Sequence, residues 1–294
     1  MAENSTRFGK WFILAVALVS ALVAVTVWAT GTVTVITGSP VSVSADTARD
    51  GGSGAFTALA TGPRIVETDA AGMSLGSVTL NAPAGFEFDT TSLVNVQVIN
   101  AGGTSTARAY INSTNSTAGQ VRILNVTPSA SAITFYITTE STGVNNRSSF
   151  TWTGIKVRPT QGTPLASGNI TYSGSSTGVA AGTNMGTLTV IPGALHHFAL
   201  STVNSPQVVG SPFPLTITAQ DQFGNTATGF TGTTNLAVSA GSTISPATTG
   251  SFIGGVWNGN ATVSGAGAGR IITAISGTVS GTSNPFDVAG TSTL

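Results

Sequence analysis

The chain has no cysteine among its 294 residues, so it has no disulfide, no thiolate metal site and no thiol nucleophile. Charge is nearly as scarce: charged residues make up 7% of the sequence, against about 25% in an ordinary globular domain. Lys+Arg is 10 and Asp+Glu is 10, for a formal net charge of zero. With no basic surplus to neutralise phosphates, a nucleic-acid binder is excluded as the first reading. Beyond the first 30 residues Glu and Lys, which stabilise helix interiors, almost disappear. The apolar share of 40% is too high for a charge-rich disordered chain. What is abundant is Gly, at 37, and Ser and Thr, together about 80. The polar surface is therefore built from hydroxyls and amides.

The N-terminus is an address or an anchor. Arg7 and Lys10 precede an apolar run from Trp11 to Val27, and Val27-Trp28-Ala29 places small residues at the −3 and −1 positions of a cleavage site. Residues 1–29 read as a secretory signal segment. The competing reading is a retained membrane anchor through residues 11–28, since no charge occurs from Trp11 to Ala45. Both readings keep Arg7 and Lys10 on the cytoplasmic side and export the rest of the chain.

The exported part reads as all-β. Short alternating runs recur, such as Val94-Asn-Val-Gln-Val98, Ile133-Thr-Phe-Tyr-Ile137 and Phe213-Pro-Leu-Thr-Ile-Thr218, each bounded by Gly, Pro, Asn or Ser. Alternation places Val, Ile and Phe on one face and Thr or Ser on the other. Many such strands at close spacing predict antiparallel β-sandwiches. Thr187–Ile191 reads as a closing strand and Pro192-Gly193 as punctuation, which sets a boundary between a first sandwich, 46–191, and a second, 192–294. Residues 30–45 read as a strand-like linker. Their runs Thr32–Ile36 and Val41–Ser44 suit first strands, or else strands added to an open sheet edge of another copy. Charge drops across the boundary, since residues 192–294 hold only Asp221, Arg270 and Asp287. A surface this poor in ions has few carboxylates to lose in acid, so little pH dependence is expected.

The most specific stretch is Phe213-Pro-Leu-Thr-Ile-Thr-Ala-Gln-Asp-Gln-Phe-Gly-Asn-Thr226, followed by Gly229-Phe-Thr-Gly232. An Asp at a tight turn can cap backbone N–H groups, and Gly224 or Asn225 can adopt positive φ. This pattern resembles the immunoglobulin-like repeats of bacterial and archaeal surface proteins. It matches them at Ala219, Asp221, Gly224 and Asn225, with an opening Pro192-Gly-Ala-Leu-His-His-Phe198 and a closing Asn284-Pro-Phe-Asp-Val288. The resemblance covers about 192–288. It implies an immunoglobulin-like second sandwich that serves as a spacer or assembly unit. In the first sandwich, Leu80-Asn-Ala-Pro-Ala-Gly-Phe-Glu-Phe-Asp-Thr90 reads as strand, turn and strand, similar to segments of large exported repeat proteins and cohesin-like sandwiches.

Groups capable of chemistry are few. Glu67/Asp69 and Glu87/Asp89 stand at i, i+2, a spacing that puts both carboxylates on one strand face. Such pairs suit Ca²⁺ or glycoside hydrolysis, but neither has a neighbouring base or a recognisable ligand loop, and solvated strand rims are the plainer reading. Asp221 with Asn225 has the same two readings, cation contact or turn cap, and the cap is preferred. His196 and His197 are adjacent, so a regular strand would turn them to opposite faces. Gly265-Ala-Gly-Ala-Gly269 lacks the strand-to-helix setting of a dinucleotide fingerprint and reads as a flexible turn. Trp152 alternates with Phe150 and is assigned to the core, whereas Trp257, beside Gly254-Gly255, is a candidate exposed sugar platform. Asn-x-Ser/Thr triplets at Asn112, Asn115, Asn125, Asn146, Asn169 and Asn260 are glycosylation candidates.

The expected protein is a non-enzymatic cell-surface or extracellular structural or adhesive subunit, of an envelope or a filament. Its partners are other copies or other surface proteins, and it takes no cofactor. The alternative is a carbohydrate- or ligand-binding module supported by calcium.

Overall fold

The structure, a computed structural model, describes residues 28–30, 33–101, 110–111, 122–141, 147–239 and 241–291. Residues 1–27 of the 1–29 leader lie outside the described residues, and its last two, Trp28 and Ala29, stand in a short strand. Among the described residues no helix is long and apolar enough to cross a membrane.

Strands account for the regular structure of these residues, with one turn of 3₁₀ helix at Ala45–Thr47. In chain order they are β1 (Trp28–Thr30), β2 (Val33–Ile36), β3 (Val41–Ser44), β4 (Thr57–Ala58), β5 (Arg64–Glu67), β6 (Gly76–Asn81), β7 (Phe86–Phe88), β8 (Val94–Asn100), β9 (Tyr110–Ile111), β10 (Arg122–Val126), β11 (Ala132–Thr139), β12 (Ser148–Thr153), β13 (Lys156–Pro159), β14 (Ser167–Ser173) and β15 (Asn184–Ile191). There follow β16 (His197–Leu200), β17 (Gln207–Val208), β18 (Phe213–Gln220), β19 (Asn235–Val238), β20 (Ile244–Ser245), β21 (Val256–Val263), β22 (Gly267–Arg270), β23 (Ile272–Ser276), β24 (Val279–Thr282) and β25 (Phe286–Ala289).

The first fifteen strands enclose one apolar core. One sheet runs β1-β2-β5-β12-β8-β10 and the facing sheet β3-β15-β14-β6-β11-β9. Alternation puts Val96 and Val98 of β8 and Ile133 and Phe135 of β11 inside, each at most 0% exposed. The two layers meet where the Phe135 ring lies 6.0 Å from Phe150 and 5.7 Å from Trp152. A small third sheet, β4-β13-β7, closes one corner. Residues 33–36 and 41–44, placed in the linker by the sequence, are strands of this sandwich. β2 pairs antiparallel with β5 in one sheet, and β3 pairs parallel with the last strand, β15, in the other. Val33, Val35 and Val43 are buried in the core, which fixes their register.

The later strands repeat this plan around a second buried cluster, from Phe198 to Val288. β16 pairs antiparallel with β18, and β17 pairs parallel with the last strand, β25. Phe213 of β18 reaches across to Phe286 of β25, with ring centroids 5.9 Å apart. The glycine stretch 265–269 is not a flexible turn throughout. Gly267–Arg270 is a strand laid on β25, and the small residues leave room for the Arg270 guanidinium to fold back and donate to the carbonyls of Ala266 and Ser239.

Candidate functional site at the corner joining the sandwiches

Each acidic pair singled out by spacing has a structural task. β5 ends at Glu67, so Asp69 lies past the strand and the two carboxylates do not share a face. Glu67, 1% exposed, accepts the Met73 N–H at 3.0 Å and the Ser148 N–H at 2.6 Å. Asp69 is exposed. Glu87 sits on β7 directly across from Arg158 of β13. It accepts from Arg158 Nε at 2.6 Å and from Arg49 Nη1 at 3.0 Å. Asp89 faces Lys156 at 3.9 Å and accepts from both the N–H and the hydroxyl of Thr91. Burial pushes the Asp89 carboxyl up, but hydrogen bonds from Ser92 and Thr91 outweigh this and bring it down to about 2.

This ionic corner holds two loops in place. Arg158 donates to the Gly54 carbonyl at 2.7 Å and lies 4.3 Å from the centre of the Phe56 ring. The Arg49 and Asp50 N–H groups bond the carbonyls of Pro159 and Thr160. Residues 46–54 and 160–162 are thus strapped together on the small sheet.

The Asp221–Asn225 turn of the second sandwich sits against those loops. Asp221 is 0% exposed and caps its own turn, Oδ1 accepting the N–H groups of Phe223 and Asn225, each at 2.9 Å. Its Oδ2 accepts Asn225 Nδ2 at 2.9 Å and the Gly193 N–H of the connecting segment at 2.8 Å. Burial, the largest single influence, pushes the carboxyl up. The donors Asn225, Gly193 and Phe223 together override it and hold it below the usual carboxylate range. Four N–H donors around one carboxylate make a cap and not a cation site.

Three further contacts cross the corner. Asn225 Nδ2 donates to the Gly162 carbonyl at 2.8 Å, the Ala194 N–H to Asp46 Oδ2 at 2.7 Å, and Gln222 Nε2 to Asp46 Oδ1 at 3.3 Å. The Phe223 ring packs on the first core's edge, over Gly162 and Gly51. A Cβ at Gly162 would drive into that ring, and one at Gly51 would lie 3.3 Å from it. Two shallow clefts flank the corner, about 240 Å³ beside Leu195 and Phe230 and about 230 Å³ beside Gly85 and Pro164. No titratable side chain lines either.

Sequence reasoning recognised Asp221 as a cap but missed the corner. The one available signal was the pairing of an aromatic residue in a tight turn with glycines in distant loops.

The remaining candidates disperse. The two histidines do not point apart. His196 precedes β16, off the regular strand, and the two Nδ1 atoms lie 3.3 Å from each other. Trp152 is 0% exposed and Trp257 9%, so Trp257 offers no open platform. Asn125, Asn169 and Asn260 are exposed, whereas Asn112, Asn115 and Asn146 lie outside the described residues. Among the described residues no group of three or more His, Cys, Asp or Glu could hold a metal ion.

No known protein family and no curated protein matches the chain. Among solved structures it is similar to domains 4 and 5 of the S-layer protein SbsC, at 26% identity over 43% of this chain and 67% of that one, with a TM-score of 0.26. It is also similar to FdeC, an Escherichia coli adhesin, at 16% identity over 88% of this chain, with a TM-score of 0.27. The match spans 64% of the adhesin structure, a little under two thirds. The all-β assignment rests on the sheets themselves and not on these likenesses.

Proposed function

We propose that the chain is a non-enzymatic structural or adhesive protein of the cell surface or extracellular space, an envelope or filament subunit. It consists of two tandem immunoglobulin-like sandwiches, meeting at residues 191–193, behind an export segment that is cleaved or retained as a membrane anchor through residues 11–28. Its partners are other copies or other surface proteins.

The observation that carries the reading is the corner itself. The most specific motif is spent on joining one β-module to the next, and the densest ion pairing, within the first module, straps the loops that receive it. The β2/β3 and β16/β17 pattern, in which the first strand divides between two sheets, supports the immunoglobulin-like assignment of both modules. A net charge of zero leaves no long-range repulsion to keep copies apart.

Electron microscopy of the purified protein tests the role. Ordered polymers or sheets are expected. A monodisperse monomer retained on a glycan array would replace the assembly role with the ligand-binding alternative. A hydrolase activity lost in both Glu87→Gln and Asp89→Asn, with the fold intact, would overturn the non-enzymatic reading.

A further inference from the structure

We infer that the Asp221–Asn225 turn is a plug and the 46–51 and 162 loops are its socket, so that the two sandwiches form one rigid, closed pair that cannot be extended through the same contact.

Rigidity follows from the number and placement of the anchors. One five-residue turn is held by three separate pieces of chain: Asp46 and Gly51, Gly162, and the connecting Gly193, while the Ala194 N–H ties the connecting segment to Asp46 directly. Three points that do not lie on one stretch of backbone fix orientation as well as distance. The Phe223 ring on a glycine floor adds a shape that one relative rotation satisfies.

Closure follows from comparing the modules. The first sandwich has its own Asp-x-x-Gly turn after β5, the strand corresponding to β18. Asp69 O accepts the Gly72 N–H at 3.3 Å, just as Asp221 O accepts the Gly224 N–H at 3.2 Å. Where the second turn carries Phe223, the first carries Ala71, and Asp69 is exposed. That turn is no plug. The socket, for its part, lies largely on residues 45–63, between β3 and β5. The corresponding stretch of the second sandwich, between β17 and β18, is only 209–212, Val-Gly-Ser-Pro, too short to form such a loop and without an acid to match Asp46. One module has a socket without a plug and the other a plug without a socket. The polymers proposed above must therefore grow through other surfaces, and the pair is the unit that is added.

The test uses the full chain, whose lack of native cysteine permits clean double labelling. Nitroxides on Ser42→Cys in β3 and Ser280→Cys in β24 report the distance between the modules by pulsed electron resonance; both residues are exposed. A single narrow distance is expected, unchanged when labelled chains are diluted with unlabelled ones. Phe223→Ala is expected to lose that narrow distance while hydrogen-exchange protection around Trp152 and Trp257, one in each core, persists. Gly162→Ala, on the other side of the contact, is expected to do the same, and it settles the matter should Phe223→Ala prove unstable. A broad distribution in the unaltered chain overturns rigidity. An unchanged narrow one in both variants overturns the plug, and disappearance of the distance on dilution overturns closure.

Discussion

The two sandwiches turn the same corner with different acids. After β5 and after β18 the chain makes an Asp-x-x-Gly turn, and in each the N–H of the following residue needs an acceptor. In the first sandwich the Met73 N–H goes to Glu67, which reaches forward from the strand end. In the second, the Asn225 N–H goes to Asp221 inside the turn itself. The change of acceptor has a consequence for the whole molecule. With Glu67 as cap, the acceptor is buried at the strand end and Asp69 is left to water. With Asp221 as cap, the carboxylate still has lone pairs facing outward, and the connecting segment uses one of them through Gly193. The same backbone requirement is met locally in one module and across the joint in the other.

The comparison breaks most sharply at the two aspartates. Asp221→Ala removes the acceptor for three backbone N–H groups and one side chain at a fully buried site. A cost of roughly 3–5 kcal/mol is expected, since each buried donor left unpaired costs about 1–3 kcal/mol and the turn relaxes in part. Asp69→Ala, at the equivalent but exposed position, should change stability by less than about 0.5 kcal/mol. Urea unfolding of both variants measures the difference, and similar losses would mean that the turns are equivalent after all. Glu67→Gln tests the other cap. The amide keeps one acceptor oxygen for two N–H groups and should cost about 2 kcal/mol.

Acid separates the modules more gently. Asp89 in the first sandwich and Asp221 in the second are both held below the ordinary carboxyl value, which is about 3.9 in an unfolded chain. A depressed folded value means that the stabilisation is complete above the unfolded value and is lost as pH falls through the folded one. Both modules should therefore keep their stability down to about pH 4–5 and lose part of it toward pH 2. Asp221→Asn should remove the acid response of the second core, and Asp89→Asn that of the corner of the first. Hydrogen exchange read separately around Trp257 and Trp152 distinguishes them.

Much of this architecture was legible in the chain. Runs such as Ile133–Ile137 and Phe213–Thr218 alternate cleanly because one face of each strand is buried and the other is wet, and both appear as strands with that burial. What was not legible depended on distance in space. The Glu67/Asp69 spacing implied a shared face only if the strand continued, and it ends at Glu67. Glu87 could not reveal its partners, because Arg49 and Arg158 lie far away in sequence and meet it only through the β7–β13 pairing. Gly265–Gly269 read as a turn by composition, yet the space its small side chains leave is filled by Arg270, and the backbone between them pairs as a strand. Phe223 looked like part of a fold signature. Its role depends on two glycines more than 60 positions away, for which sequence order gives no sign.

The smallest expected effect is also the most diagnostic of how the two turns differ in backbone. The first turn places its left-handed residue at Ala71, φ 53°, and the second at Gly224, φ 82°. A left-handed conformation costs an L-residue with a Cβ about 1–2 kcal/mol, whereas glycine adopts it freely but loses about 0.5–1 kcal/mol more backbone entropy on folding. Ala71 is exposed, and a Cβ at Gly224 would meet nothing within 4 Å, so packing contributes little at either site. Only these two opposing effects are left. Ala71→Gly should therefore stabilise the first sandwich by about 0.5 kcal/mol, and Gly224→Ala should destabilise the second by about the same amount. The two substitutions are chemically opposite, and so are their expected effects. If both destabilise, the Ala71 side chain must serve a contact that relief of strain does not compensate, and the first turn would be a packed element in its own right and not an open counterpart of the plug.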